Sequence, residues 1–94
     1  SLTSVVAAGE VGQVRFTGTT PTSPSFSYIR VFENTVDTFS TATQLGTDVT
    51  TYGSNEAFDI TKTHAASTDF YWIVPYTTTN LAGTVAGSYE LTVT

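Results

Sequence analysis

Apolar side chains in this chain recur at every second position over short stretches, and nowhere at the three-to-four-residue spacing an amphipathic helix needs. Val14 and Phe16 alternate with Gln13, Arg15 and Thr17; Ile29 and Val31 alternate with Tyr28, Arg30 and Phe32. Phe58 and Ile60 flank Asp59, and Tyr89, Leu91 and Val93 alternate with Glu90 and Thr92. Each pattern is that of a strand with one face available to a core. Turn-forming residues separate them: Gly9 and Gly12, the run 20–25 with its two prolines, Asn34-Thr35, Gly46, the run 52–55, residues 65–67, Thr79-Asn80, Gly83 and Gly87. Three further strands are expected around Val5 and Val6, around Leu45 within 43–47, and over 69–76, with room for one helical turn within 37–43. That makes seven. The strand over 69–76 should be central, and the first strand and the one around Leu45 should lie at sheet edges.

Composition points the same way. Thr and Ser supply 30 of the 94 residues, and ten Val with twelve aromatics add to the extended-chain bias. Leu, Ile, Val and Phe number 23, enough for a packed core, whereas two independent cores would need roughly 100 residues each. Residues 1–94 are therefore expected to form one domain. Seven short strands in this length predict an all-β, immunoglobulin-like β-sandwich without the cysteine pair of antibody domains, since the chain has no cysteine; a barrel is the other closure.

Net charge narrows the partners. Three basic residues against eight acidic ones leave a formal charge of −5, and no two basic residues adjoin. Neutralising a phosphate backbone or gripping an anionic bilayer needs clustered cations, so neither nucleic acid nor membrane is expected as a partner. The longest strongly apolar run, 70–76, is too short to cross a bilayer as a helix.

Two stretches carry a family resemblance. The run Arg30-Val31-Phe32-Glu33-Asn34-Thr35-Val36-Asp37-Thr38-Phe39-Ser40-Thr41-Ala42-Thr43, followed by Thr68-Asp69-Phe70-Tyr71-Trp72-Ile73-Val74, resembles the fibronectin type III-like domains of bacteriophage tail proteins. The resemblance covers roughly residues 12–94. It implies a fibronectin type III-type seven-stranded sandwich and a non-enzymatic structural or attachment role in a virion tail, fibre or decoration component. Its partners would be other virion subunits or a host-surface protein or glycan. The chain departs from the family pattern at three places. Glu33 stands where the segment usually has a second arginine, Asp69 where the sixth strand usually opens with an aromatic, and Val74-Pro75 where Arg-Ala is usual. Proline removes a ladder donor, so strand pairing is expected to end or bulge at Pro75.

Chemistry finds few ingredients. His64 is the only histidine and lies in a turn-rich stretch, where an exposed loop residue is expected; no catalytic set is assigned. Asp48, Glu56, Asp59 and Asp69 read as a solvated acidic surface on mostly wet faces. Neither a metal site nor a cofactor site is assigned, because zinc needs several N or S ligands and Asp48, Asn55 and Glu56 make only a thin calcium set.

The strand over 69–76 is apolar on both faces. The family resemblance implies that Tyr71 and Ile73 face the core, which puts Phe70, Trp72 and Tyr76 outward beside Tyr28 and Phe32 of the third strand; the alternatives are that loops, Arg30 or Thr side chains fold over those rings, or that the other face is the core. These five are the candidate partner-contact residues, because exposed aromatic stripes serve as interface anchors or sugar-stacking platforms. The second reading of function uses the same stripe. It is a carbohydrate-binding or adhesive module of a secreted or cell-surface bacterial protein, with Trp72 and Tyr76 stacking on sugars.

Overall fold

Alternation becomes register once the strands are paired. The computed structural model describes all residues from Ser1 to Thr94. Its strands are β1 (Thr3–Glu10), β2 (Gln13–Thr19), β3 (Phe26–Asn34), β4 (Thr43–Gln44), β5 (Ala57–Thr63), β6 (Ser67–Thr77) and β7 (Ala86–Val93), with one 3₁₀ turn at Phe39–Thr41. They form two antiparallel sheets, β1-β2-β5 and β4-β3-β6-β7. The protein is an all-β domain of seven strands in two sheets.

Both sheets contribute to one hydrophobic cluster. Val14 and Phe16 of β2 and Phe58 and Ile60 of β5 join Ile29 and Val31 of β3, Tyr71 and Ile73 of β6, and Leu91 and Val93 of β7. Every alternation that marks a core face in the sequence therefore points inward. Burying each of these side chains stabilises the fold by roughly 1.5–3 kcal/mol against leaving it in water. Thr20 is the buried polar residue just past β2. Its hydroxyl donates to the Gly53 carbonyl at 2.6 Å and accepts the Glu56 amide at 2.8 Å, pinning the turn before β5.

β6 is central, as expected, with β3 on one side and β7 on the other. β1 and β4 lie at edges, but so do β5 and β7, because the strands divide three and four between the sheets. Gly9 lies inside β1 instead of in a turn. A Cβ there would fall 1.9 Å from the Thr92 carbonyl oxygen, so only glycine lets β1 lie this close to β7. The two strands also meet at their ends, where Gly12 N–H donates to the Thr94 carbonyl and Thr94 N–H to that of Glu10.

Pro75 corrects one expectation in part. Pairing with β3 runs on through it, in the pairs Ile29↔Pro75 and Tyr28↔Tyr76, while pairing with β7 stops at Ile73↔Ala86. The reason lies across the strand. Ile29 spends both its backbone groups on Val49, so Ile29 and Pro75 form a pair without mutual hydrogen bonds, and the proline nitrogen faces away from β3. On that side its carbonyl accepts the Gly83 amide, and no ladder donor is missed.

Candidate functional site

The outward face of β3 and β6 carries the five aromatics that the sequence brings together, and their register makes them neighbours. Tyr28 pairs with Tyr76, Phe32 with Trp72, and Phe70 with Asn34. The stripe is contiguous but is not open along its length. Trp72 is only 4% exposed and Tyr28 only 7%. Phe70, Phe32 and Tyr76 are half-buried.

Local cover explains this. Phe39, in the 3₁₀ turn after β3, packs on Trp72 with ring centroids 5.6 Å apart and meets Phe32 edge-on at 5.3 Å. On the other side Gly87 lies against Trp72, where an added Cβ would come within 2.8 Å of the indole Cδ1. Tyr28 and Tyr76 stack in parallel, centroids 5.0 Å apart, and Arg30 lies over both rings at 5.2 and 4.7 Å. Asp48 holds the guanidinium by accepting from Arg30 Nε at 2.9 Å, and Gln44 donates to the same oxygen at 2.7 Å. Both bonds hold the Asp48 carboxyl below its usual range, that with Arg30 most. What stays accessible on this face is a patch of Phe32, Phe70, Tyr76 and the exposed Phe39.

A second constellation sits on the inner side, at the end of the core. Glu33 lies directly across from Tyr71 in the β3–β6 pairing, and Asp69 precedes Tyr71 by two residues on the same face. His64, the first residue after β5, closes the group. Its Nε2 stands 3.3 Å from Glu33 Oε2 and 3.7 Å from Asp69 Oδ2. The side chains of His64, Glu33 and Asp69 are 19%, 17% and 8% exposed. This corrects two expectations: His64 is not an exposed loop residue, and Asp69 is not on a wet face.

The surroundings define the chemistry of this cluster. His64 Nδ1 lies 2.8 Å from the Ala65 carbonyl, which can only accept, so Nδ1 carries a proton. Ser67 Oγ donates to Asp69 Oδ2 at 2.8 Å. Burial pushes the Glu33 carboxyl up, and the neighbouring Asp69 adds to the shift against the opposing pull of His64. The imidazole meets the Tyr71 ring edge-on at 5.9 Å. Tyr71 is completely buried, and its hydroxyl has no hydrogen-bond partner. Burial first, then the charges of Asp69 and Glu33, push that phenol up to about 12.

Other acidic residues do not converge. Asp59 pairs with Arg15 on the exposed face of β5 and β2, Glu56 accepts the Gly53 amide, and Asn55 bonds Thr22. Asp48, Asn55 and Glu56 are therefore engaged with separate partners. The sequence signal for this cluster is thin: His64 is the lone histidine, and Glu33 and Asp69 are acidic residues next to otherwise apolar strand stretches. Comparison of the chain with protein-family models, with curated proteins and with solved structures finds no match.

Proposed function

We propose that this domain is a non-enzymatic structural or attachment module of a phage virion, a tail, fibre or decoration component that works through protein–protein or host-surface contacts. Its fold on this reading is a fibronectin type III-type, immunoglobulin-like sandwich. The sheet orders support it, with the short fourth strand joined to β3 and not to β5, unlike the constant-type immunoglobulin arrangement. The observation that carries the functional reading is the accessible aromatic patch of Phe32, Phe39 and Phe70 on the outward face of β3 and β6. Phe39 packs on both Phe32 and buried Trp72, and aromatic anchors already held in place lose little entropy on binding.

The sugar-binding alternative gains less. Trp72 is closed off by Phe39 and Gly87, and Arg30 occupies the ring faces of Tyr28 and Tyr76 on which a sugar would stack.

The test is to follow the native protein through gradient purification of particles from a lysate. Co-sedimentation with virions is expected, together with a roughly tenfold loss of incorporation for Phe70→Asp, about what one central aromatic anchor supplies. Recovery from the culture fluid or the cell envelope, free of particles, would overturn the reading.

A further inference from the structure

We propose that Glu33, His64 and Asp69 form a binding site for one divalent transition-metal ion, zinc being the probe of choice, that ties the two sheets together across the end of the core. The inference is independent of the virion reading.

Ligand geometry is the first support. One ligand atom from each residue lies within 4.8 Å of the other two. Two ligands about 2.0–2.1 Å from a tetrahedral ion stand roughly 3.3–3.4 Å apart. Nε2 of His64 and Oε2 of Glu33 are 3.3 Å apart, and Oδ2 of Asp69, at 3.7 Å from the same nitrogen and within 4.8 Å of the Glu33 ligand oxygen, closes in to complete the set.

The histidine tautomer is the second. With Nδ1–H donating to the Ala65 carbonyl, Nε2 is the ring atom turned toward the two carboxylate oxygens and the one available to an ion. A cation among them offsets the repulsion between the two carboxylates, and a metal ion would do so through three ligands at once. Orientation of the ring by a backbone carbonyl, and of Asp69 by the Ser67 hydroxyl, is the outer-shell arrangement that metal-binding imidazoles and carboxylates use.

The third is Tyr71. A buried phenol with no partner costs free energy, and it lies against the imidazole of the same group. An ion with three protein ligands keeps a position for water, and a metal-bound water supplies the kind of polar neighbour this hydroxyl lacks. A mixed set of one imidazole and two carboxylates suits zinc, and equally cobalt or manganese, better than a copper site rich in sulfur. The ion would join β3, β6 and the exit of β5. In a chain without cysteine it would do the work of a cross-link between sheets.

The experiment is calorimetric titration of the tag-free 94-residue chain with zinc chloride near neutral pH, with thermal unfolding in zinc and in EDTA. One ion per chain is expected, with Tm higher by roughly 10–20 °C at a hundredfold excess of zinc over Kd. His64→Gln and Glu33→Gln should each weaken binding at least roughly tenfold. Absence of heat and of any Tm change at millimolar zinc would overturn the proposal. Undiminished affinity in His64→Gln would also overturn it, by assigning the binding to surface carboxylates. If that variant does not fold in EDTA, cobalt added to the unaltered chain decides. Intense low-symmetry visible bands support the site, and the weak spectrum of hydrated cobalt rejects it.

Discussion

Phe39 covers Trp72: the two rings meet at 54° with centroids 5.6 Å apart, and a residue from a short 3₁₀ turn thereby shields the only tryptophan of the chain. The indole should accordingly emit at short wavelength and resist quenching by acrylamide. Phe39→Ala removes the cover. It should shift the emission to the red, speed quenching, and cost about 1–2 kcal/mol, less than a core phenylalanine because Phe39 is itself 37% exposed. Unchanged quenching in the variant would mean that Trp72 is shielded from elsewhere.

Gly87 closes the other side of the same ring. Its φ of +128° is one that L residues avoid, and a Cβ would meet Trp72 Cδ1 and the Tyr71 carbonyl oxygen at 2.8 Å. Gly87→Ala should destabilise by about 1–3 kcal/mol in urea unfolding and disturb the tryptophan signal as well. Gly12→Ala is the control. It also carries a positive φ, +69°, but has open space around it, and should cost about 1–2 kcal/mol with no change in Trp72 emission.

Thr20 tests the pinned turn before β5. Thr20→Val keeps the shape and removes the hydroxyl, leaving the Gly53 carbonyl and the Glu56 amide without that partner. A loss of about 1–3 kcal/mol is expected, with Thr20→Ser recovering most of it. Amide hydrogen exchange at Glu56 should rise in the valine variant and stay slow in the serine one.

Asp48 and Asp59 set an acid limb. Each carboxyl is held below its ordinary range by a hydrogen-bonded guanidinium, Arg30 for Asp48 and Arg15 for Asp59. A depressed folded pKa means that the unfolded chain takes up protons first. The stabilisation is therefore present above about pH 4, the unfolded value, and is lost as pH falls through the lower folded values. Comparing Tm of the natural chain with that of Asp48→Asn/Asp59→Asn should show a gap at pH 7 that narrows below pH 4 and shrinks in high salt. A gap that persists at pH 2 would show that the carboxylate charge is not its source.

Periodicity made the core faces legible, because a residue's place in a strand decides its face irrespective of what lies elsewhere. Val14, Phe16, Phe58 and Ile60 needed nothing more. β6 was harder, since both its faces are apolar and alternation alone cannot say how deep the outward one lies. The answer depended on Phe39 and Arg30, whose covering positions arise from a loop path and a neighbouring strand that no local pattern encodes. The cluster of Glu33, His64 and Asp69 was hidden for a related reason. A histidine in a turn reads as exposed until the turn is folded back over the core, and Glu33 reaches Asp69 only through a cross-strand register between distant segments.

The pairing of β3 with β6 and of β2 with β5 also governs how this chain reaches its fold. β1 and β2 are joined by the two-residue turn Val11-Gly12, and residues 78–85 join β6 to β7, so each end of the chain can form its hairpin early. The contacts that unite the halves, from Thr19↔Ala57 to Glu33↔Tyr71, must each close a long intervening loop before they return any free energy. Folding should therefore be slow for so small a protein, in the millisecond-to-second range typical of β topologies, with the hairpins waiting on the encounter of their partners.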